Sequence, residues 1–199
     1  MMKTIVIATN NQNKVREFKS MLDTPNVEFK TLKEIGYLKD IEENGNSFEE
    51  NAYIKAMTVA KELNVIAISD DSGLCVDALN GEPGIFSARY AGTHNDEDNN
   101  ALLLKNLKGK ENRNAHYVCA ICVAYPNGEY ITEVGTVSGL IIDDRRGSGG
   151  FGYDPYFYIP EFNATFAEVP LEKKNTISHR NRALRKIKAR LDENFNIIR

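Results

Sequence analysis

The chain has 199 residues, 42% hydrophobic and 27% charged, with a formal net charge of −3 at pH 7. That content suits one substantial core at the upper end of single-domain size, and the charge excludes a global basic field of the kind that grips nucleic-acid backbones regardless of sequence. The longest apolar runs are far too short to span a bilayer, the N-terminus lacks the apolar core of a signal peptide, and three cysteines make no disulfide framework, so a cytoplasmic protein is expected.

No repeats, low-complexity tracts or linkers interrupt the chain, which predicts a single domain over residues 1–199 with strands and helices alternating. Thr4 to Ala8 is a β-branched run that predicts a strand. A polar stretch follows, then Lys14 to Leu22, where Val15, Phe18, Met21 and Leu22 share one helical stripe. Ser47-Phe48-Glu49-Glu50 matches the capping box, in which a serine hydroxyl and a glutamate carboxylate satisfy exposed amides, and predicts a helix to about Leu63. Val65 to Ser69 reads as a buried strand, Ser69-Asp70-Asp71-Ser72-Gly73 as a sharp turn, Leu74 to Leu79 as a second short strand, and Asn80 to Gly84 as a turn-rich loop. Asp96 to Leu107 is expected to be helical.

Tyr117 to Ala124 and Glu129 to Ile142 flank Pro126-Asn127-Gly128, where Asn-Gly supplies the positive φ angles of a hairpin turn, so this pair is expected to be antiparallel. Cys119 and Cys122 form a CxxC, but residues three apart in a strand face opposite ways, which argues against a redox pair or zinc knuckle. Ser178 to Leu191 closes the sequence as a helix with Leu184, Ile187 and Leu191 inward. The expected fold is mixed α/β around a twisted sheet, parallel near the N-terminus and carrying a long hairpin later.

Four segments bear chemistry. Thr9-Asn10-Asn11-Gln12-Asn13-Lys14 joins the first strand to the first helix, where free amides, the positive end of the helix dipole and the Lys14 charge make a natural phosphate cradle. It lacks the glycines of a Walker loop, and an ordinary polar connection with an Asn cap is the competing interpretation. Asp70 and Asp71 follow a strongly apolar strand. Burying both is costly without a cation, and Mg2+ prefers carboxylate oxygens. Glu42-Glu43 could add a carboxylate to the same metal; otherwise both segments are solvated surface. In Gly147-Ser148-Gly149-Gly150-Phe151-Gly152-Tyr153-Asp154-Pro155, glycines surround aromatics, which suits close approach of a ligand and stacking on a nucleobase rather than a flexible surface loop. Lys174-Asn175-Thr176-Ile177-Ser178-His179-Arg180 offers donors to phosphate or a ring oxygen. His94 and His116 have no such company. The basic residues Arg182, Arg185, Lys186, Lys188 and Arg190 read most simply as a solvated helix face, with a nucleic-acid patch as the sharper alternative.

Taken together, Thr9 to Lys14, Asp70-Asp71-Ser72-Gly73-Leu74, Pro83 to Tyr90, Gly149 to Pro155 and Ser178-His179-Arg180 resemble the inosine triphosphate pyrophosphatase family, in unchanged order from about residue 4 to residue 190. The resemblance implies an elongated two-lobed α/β fold, a mixed twisted sheet flanked by helices, with the substrate cleft between lobes and a homodimeric assembly. It also implies Mg2+-dependent hydrolysis of ITP, dITP or XTP to the monophosphate and pyrophosphate, with no nucleic-acid or membrane partner. Carried over by motif, Thr9, Asn10, Asn11, Gln12, Asn13 and Lys14 would hold the triphosphate. Asp71 would be the general base, Ser72 would contact substrate, and Glu43, Asp70 and Asp71 would hold the metal. Phe151, Gly152, Tyr153 and Asp154 would line the base pocket, completed by Lys174, His179 and Arg180. Ser69 stands where similar proteins often have alanine. A Maf-like pyrophosphatase would share the fold, but its arginine-rich N-terminal signature is missing here. A non-catalytic nucleotide sensor would not need the Asp70-Asp71 pair, and an RNA-binding protein is disfavoured by the net charge.

Overall fold

The computed structural model describes residues 3–22 and 27–197. Its apolar runs become strands. β1 (Lys3–Ile7) pairs in parallel with β2 (Val27–Thr31) on one side and β3 (Ile66–Val76) on the other, with Ile5 opposite Phe29 and Ile66. β4 (Asn114–Ala124) and β5 (Tyr130–Ile141) are joined by a tight connection in which the Tyr125 amide donates to the Glu129 carbonyl at 2.9 Å and Gly128 takes φ of 95°. β6 (Phe157–Ile159) pairs antiparallel to β5, and β7 (Ala164–Thr165) antiparallel to β6. The seven strands lie in the order β2-β1-β3-β4-β5-β6-β7, giving the mixed sheet the sequence predicted, parallel at its N-terminal end.

Helices flank it: α1 (Gln12–Met21), α2 (Phe48–Leu63), α3 (Asp96–Leu107), α4 (Leu171–Ile177) and α5 (His179–Ile197). Their starts are set by side chains. Asn11 accepts from the amides of Asn13 and Lys14 at the start of α1, and Asn95 from those of Glu97 and Asp98 at α3. At α2, Ser47 Oγ accepts from the Glu50 amide at 3.1 Å, while the Glu50 carboxylate reaches the Asn46 amide, one residue before the usual partner in such a box. Asn64 ends α2 in the left-handed region, where asparagine is tolerated.

The chain divides into two compact units. One draws on the segments up to Asp71, Cys119–Gly135 and those from Arg180 onward; the other on Ser72–Val118 and Thr136–His179. In the first, Ile5, Ile7, Val15 and Phe18 pack with Leu184 and Ile187 of α5, the inward residues the helical stripe predicted. In the second, Leu74, Leu103 and Leu107 pack with Tyr117, Phe157 and Phe166. Each fully buried side chain of this kind contributes about 1.5–3 kcal/mol relative to exposure.

Three differences from the sequence expectations stand out. Ser69 to Gly73 is not a turn: β3 runs through it unbroken, and Val65–Ser69 and Leu74–Leu79 are not separate strands. Residues with turn chemistry stay extended because their side chains find distant partners: Ser69 Oγ donates to the Ala52 carbonyl at 2.5 Å, and Asp71 accepts from Asn51 at 2.9 Å. Second, β2 was not anticipated; its apolar residues alternate with charged ones in a short edge strand. Third, an unexpected short helix, α4, precedes the last one, with Ser178 extended between it and α5, which covers the helix expected from Ser178 to Leu191. No helix of the described residues is long and apolar enough to cross a membrane. Cys119 and Cys122 are free, buried thiols.

Candidate active site

Successive residues of a strand face opposite sides of its sheet, so Asp70 and Asp71 meet different neighbours. Asp70 is fully buried. Its Oδ2 lies 3.1 Å from Lys14 Nζ of α1 and accepts from Arg180 Nη2 at 3.0 Å and Nε at 3.2 Å. Arg180, 1% exposed, also donates through Nη1 to Glu17 of α1, another buried carboxylate. Two cations and two carboxylates thus cancel inside the first unit. Burial favours the protonated acid, but Lys14, Arg180 and Lys55 outweigh it and hold the Asp70 carboxyl well below the usual carboxylate range. Burial pushes the other way on the Arg180 guanidinium too, and Asp70 and Glu17 overcome it to keep the charge in place. The Cys119 thiol, 3.8 Å from Asp70, is driven up by burial and then by that carboxylate, so it is inert. Among the described residues, Asp70 Oδ1 has no hydrogen-bond partner.

Asp71 looks to α2. Its Oδ2 accepts from Asn51 Nδ2 at 2.9 Å, and its Oδ1 is 4.0 Å from Lys55 Nζ, which sits 3.1 Å from Glu43 Oε1. Asn51 and Lys55 are four apart and so share one helix face. Asn51 Oδ1 also accepts from the Gly45 amide at 2.9 Å, drawing in the loop that carries Glu43. Gly45 is required there: a Cβ would meet Glu50 Cβ at 2.7 Å and Asn51 Oδ1 at 2.8 Å. Here burial wins, lifting the Asp71 carboxyl above its usual range against the pull of Lys55 and Lys14.

The Thr9–Lys14 segment serves first as the cap of α1, with Asn11 Oδ1 on two amides and Thr9 Oγ1 accepting from the Asn11 amide at 3.2 Å. The side chains of Asn10, Asn11 and Gln12 remain exposed.

In the second unit the glycine-rich loop closes on one carboxylate. Asp154 Oδ2 accepts from Lys174 Nζ at 2.7 Å and from the Phe151 amide at 3.1 Å, while Oδ1 accepts from the Tyr117 hydroxyl at 3.3 Å. Gly150, at φ 71°, leaves the space that carboxylate fills. Gly152 is gripped from α3: its amide donates to Asp96 at 2.7 Å and its carbonyl accepts from Asn100 at 3.0 Å. Tyr153 donates its hydroxyl to the Ser87 carbonyl at 2.7 Å. Lys174 Nζ sits 5.3 Å from the Phe151 ring centre, and His179 lies flat against Tyr117. A cavity of about 310 Å³ opens here, lined by Gly149, Gly150, Phe166, Val169, Leu171 and Lys174. Ser72 is half-buried on β3.

Lys14, Asp70 and Arg180 are therefore brought together, as are Glu43 and Asp71 around Lys55, and as are Phe151, Gly152, Asp154 and Lys174. Arg180, expected at the base, instead directs its guanidinium to Asp70 and Glu17. Asp70 and Asp71, expected to share one ion, face opposite sides of β3. Among the described residues no three His, Cys, Asp or Glu side chains converge as a ready-made metal site. Sequence reasoning missed Glu17, Asn51 and Lys55. The signal for the last two was available: a buried amide and a buried lysine on a helix face otherwise made of Ala52, Ala56, Val59 and Ala60.

Fold and site describe an α/β protein whose polar centre sits on an inner strand of a mixed sheet. The chain belongs to the Ham1 family, whose profile matches residues 5–190. It is 50% identical over 195 residues to the dITP/XTP pyrophosphatase of Bacillus licheniformis, covering 96% of this chain and 100% of that protein. It is 49% identical over 190 residues to the dITP/XTP pyrophosphatase of Desulfotalea psychrophila, covering 95% and 85%. Among solved structures, the Staphylococcus aureus Ham1 protein matches with a TM-score of 0.88 at 46% identity, covering 96% of this chain and 100% of that one. A HAM1 protein from Coxiella burnetii matches with 0.89 at 38% identity, with the same coverage. These relatives bear out the resemblance drawn from the five sequence motifs.

Proposed function

We propose that this protein hydrolyses non-standard purine nucleoside triphosphates such as dITP, XTP and ITP to the monophosphate and pyrophosphate, removing them from the nucleotide pool. The observation that carries the reading is the Asp71 site: a buried carboxylate oriented by Asn51 and facing Lys55, which in turn meets Glu43. A carboxylate held in place by an amide and set beside a lysine is positioned to take a proton from water. The names of the Bacillus and Desulfotalea relatives support the choice of substrate.

Asp71 takes a proton from the water that attacks the α-phosphorus, and pyrophosphate leaves. Lys14 and the Thr9–Asn13 loop hold the triphosphate at the start of α1, where the dipole favours anions. Mg2+ is commonly held by one or two carboxylates together with substrate phosphates rather than by an all-protein cage. Glu43 and Asp71, on either side of Lys55, fit that donor set. When bound, the ion supplies charge neutralisation at the phosphate oxygens. The Asp70 carboxylate faces away from this pair, so metal holding rests on Glu43 and Asp71, and Asp70 serves as the counter-charge of Lys14 and Arg180. Ser72 contacts the substrate from the next position on β3.

Phe151, Gly152, Tyr153 and Asp154, with Lys174 and His179, take the base. A 6-oxo group accepts from these donors, whereas the 6-amino group of adenine leaves a donor unpaired, which costs about 1–3 kcal/mol when buried. Arg180 enters through its ion pairs, holding Asp70. The reading includes a cytoplasmic homodimer that binds neither nucleic acid nor membrane. Pyrophosphate release from dITP, XTP, ITP, GTP, ATP and TTP, with and without Mg2+, tests it. Metal-dependent release from the first three is expected; no release from any of them would favour a nucleotide sensor.

A further inference from the structure

We propose that Tyr117 is a positioning and specificity-determining residue, whose ring sets the plane of His179 and whose hydroxyl sets the Asp154 carboxylate. The inference rests on the functional reading above and names a residue that no motif singled out. Tyr117 lies on β4, a long strand of the sheet, and a strand holds a side chain more firmly than a loop does. Its ring centre is 4.8 Å from that of His179, with the planes 11° apart, so the two rings stack face to face. Phe166 stacks at 6.0 Å and 13°, and Phe157 packs against the same tyrosine at 4.6 Å in a tilted contact. Tyr117 is thus fixed by its neighbours, and His179 takes its plane from a ring that cannot turn.

The hydroxyl does the second task. It donates to Asp154 Oδ1, leaving Oδ2 to receive Lys174 and the Phe151 amide. Burial, and then Asp154 itself, push the phenol well above its usual range, so it remains a donor at any physiological pH. One side chain therefore ties together four groups assigned to the base: His179 through its face, and Asp154, Lys174 and Phe151 through its oxygen. A base pocket discriminates only as well as its donors are held in place, because a donor free to swing can satisfy the wrong base.

Two variants separate the tasks. Tyr117→Phe keeps the stack and removes the hydroxyl; KM for dITP should rise about tenfold, the cost of one buried hydrogen bond, with kcat close to wild type. Tyr117→Leu removes the ring; beyond the downfield move that loss of any stacked ring gives, the His179 ring-proton resonances should broaden as the imidazole loses its single plane, and preference for dITP over dATP in kcat/KM should fall about tenfold beyond the Phe variant. Thermal melts confirm that both fold, and if the Leu variant fails to, the Phe variant alone decides through KM. A purely structural tyrosine would lower the melting temperature and leave KM, selectivity and the His179 line widths where they were; that result overturns the proposal. A wild-type chain inactive on dITP and XTP would defeat the functional reading alone, since the His179 resonances would still report whether Tyr117 holds the ring.

Discussion

Asp70 and Asp71 are chain neighbours on one strand, yet their surroundings move them in opposite directions. On one side, Lys14, Arg180 and Lys55 outweigh burial and hold the fully buried Asp70 ionised. On the other, burial prevails over a lysine 4.0 Å away and favours the proton on Asp71. The difference teaches that burial alone does not decide the state of a carboxylate; the number and closeness of compensating charges do. A strand is suited to producing such a pair, because it separates adjacent residues onto two faces. One face can then be structural and the other reactive.

Three substitutions probe this contrast. Asp71→Asn removes the proton acceptor while keeping its size and its bond from Asn51; turnover should fall about 10²- to 10⁴-fold with nucleotide affinity in the absence of Mg2+ retained, measured by initial rates and by calorimetric binding of the substrate without metal. Retained turnover would break the assignment of the reactive face. Asp70→Asn should instead act on folding, costing about 3–5 kcal/mol at pH 7 because Arg180 and Lys14 lose a buried counter-charge. Its pH dependence has a definite sign. The folded Asp70 carboxyl lies below the unfolded value of 3.8, so its contribution is fully present above that pH and is lost as pH falls through the folded value. Denaturation curves for wild type and variant should therefore converge on acidification.

Lys55→Met gives the smallest effect. It leaves burial of Asp71 less opposed, so the acid limb of kcat/KM should shift to higher pH. A pH-rate profile reads this directly, and a shift to lower pH would mean that Lys55 does not act on Asp71.

Much of the fold was legible where the information is local. Ser47 and Glu50 announce the start of α2, Asn127-Gly128 the turn after β4, and Leu184 and Ile187 the buried stripe of α5, because each pattern is set by residues within one or two turns of each other. β3 was divided by its own composition, since Asp, Ser and Gly favour turns until distant side chains satisfy them. The phosphate and base segments were likewise visible as clusters of residue types. What those clusters contact was not. Arg180 meets Glu17 across 163 residues and Asp70 across 110, separations at which no periodicity operates. Lys55 and Asn51 sat inside a helix whose apolar residues dominated its pattern.

The apolar cluster of the first unit joins residues near the beginning of the chain, Ile5 to Phe18, to Ala183, Leu184 and Ile187 near its end. During synthesis that cluster cannot close until α5 has emerged. The early strands and α1 must wait, with Ile5, Ile7 and Phe18 lacking their final cover, while the whole second unit is made. The second unit, whose segments all precede Arg180, has no such dependence. The last segment of the second unit is therefore made before the helix that covers the N-terminal strands.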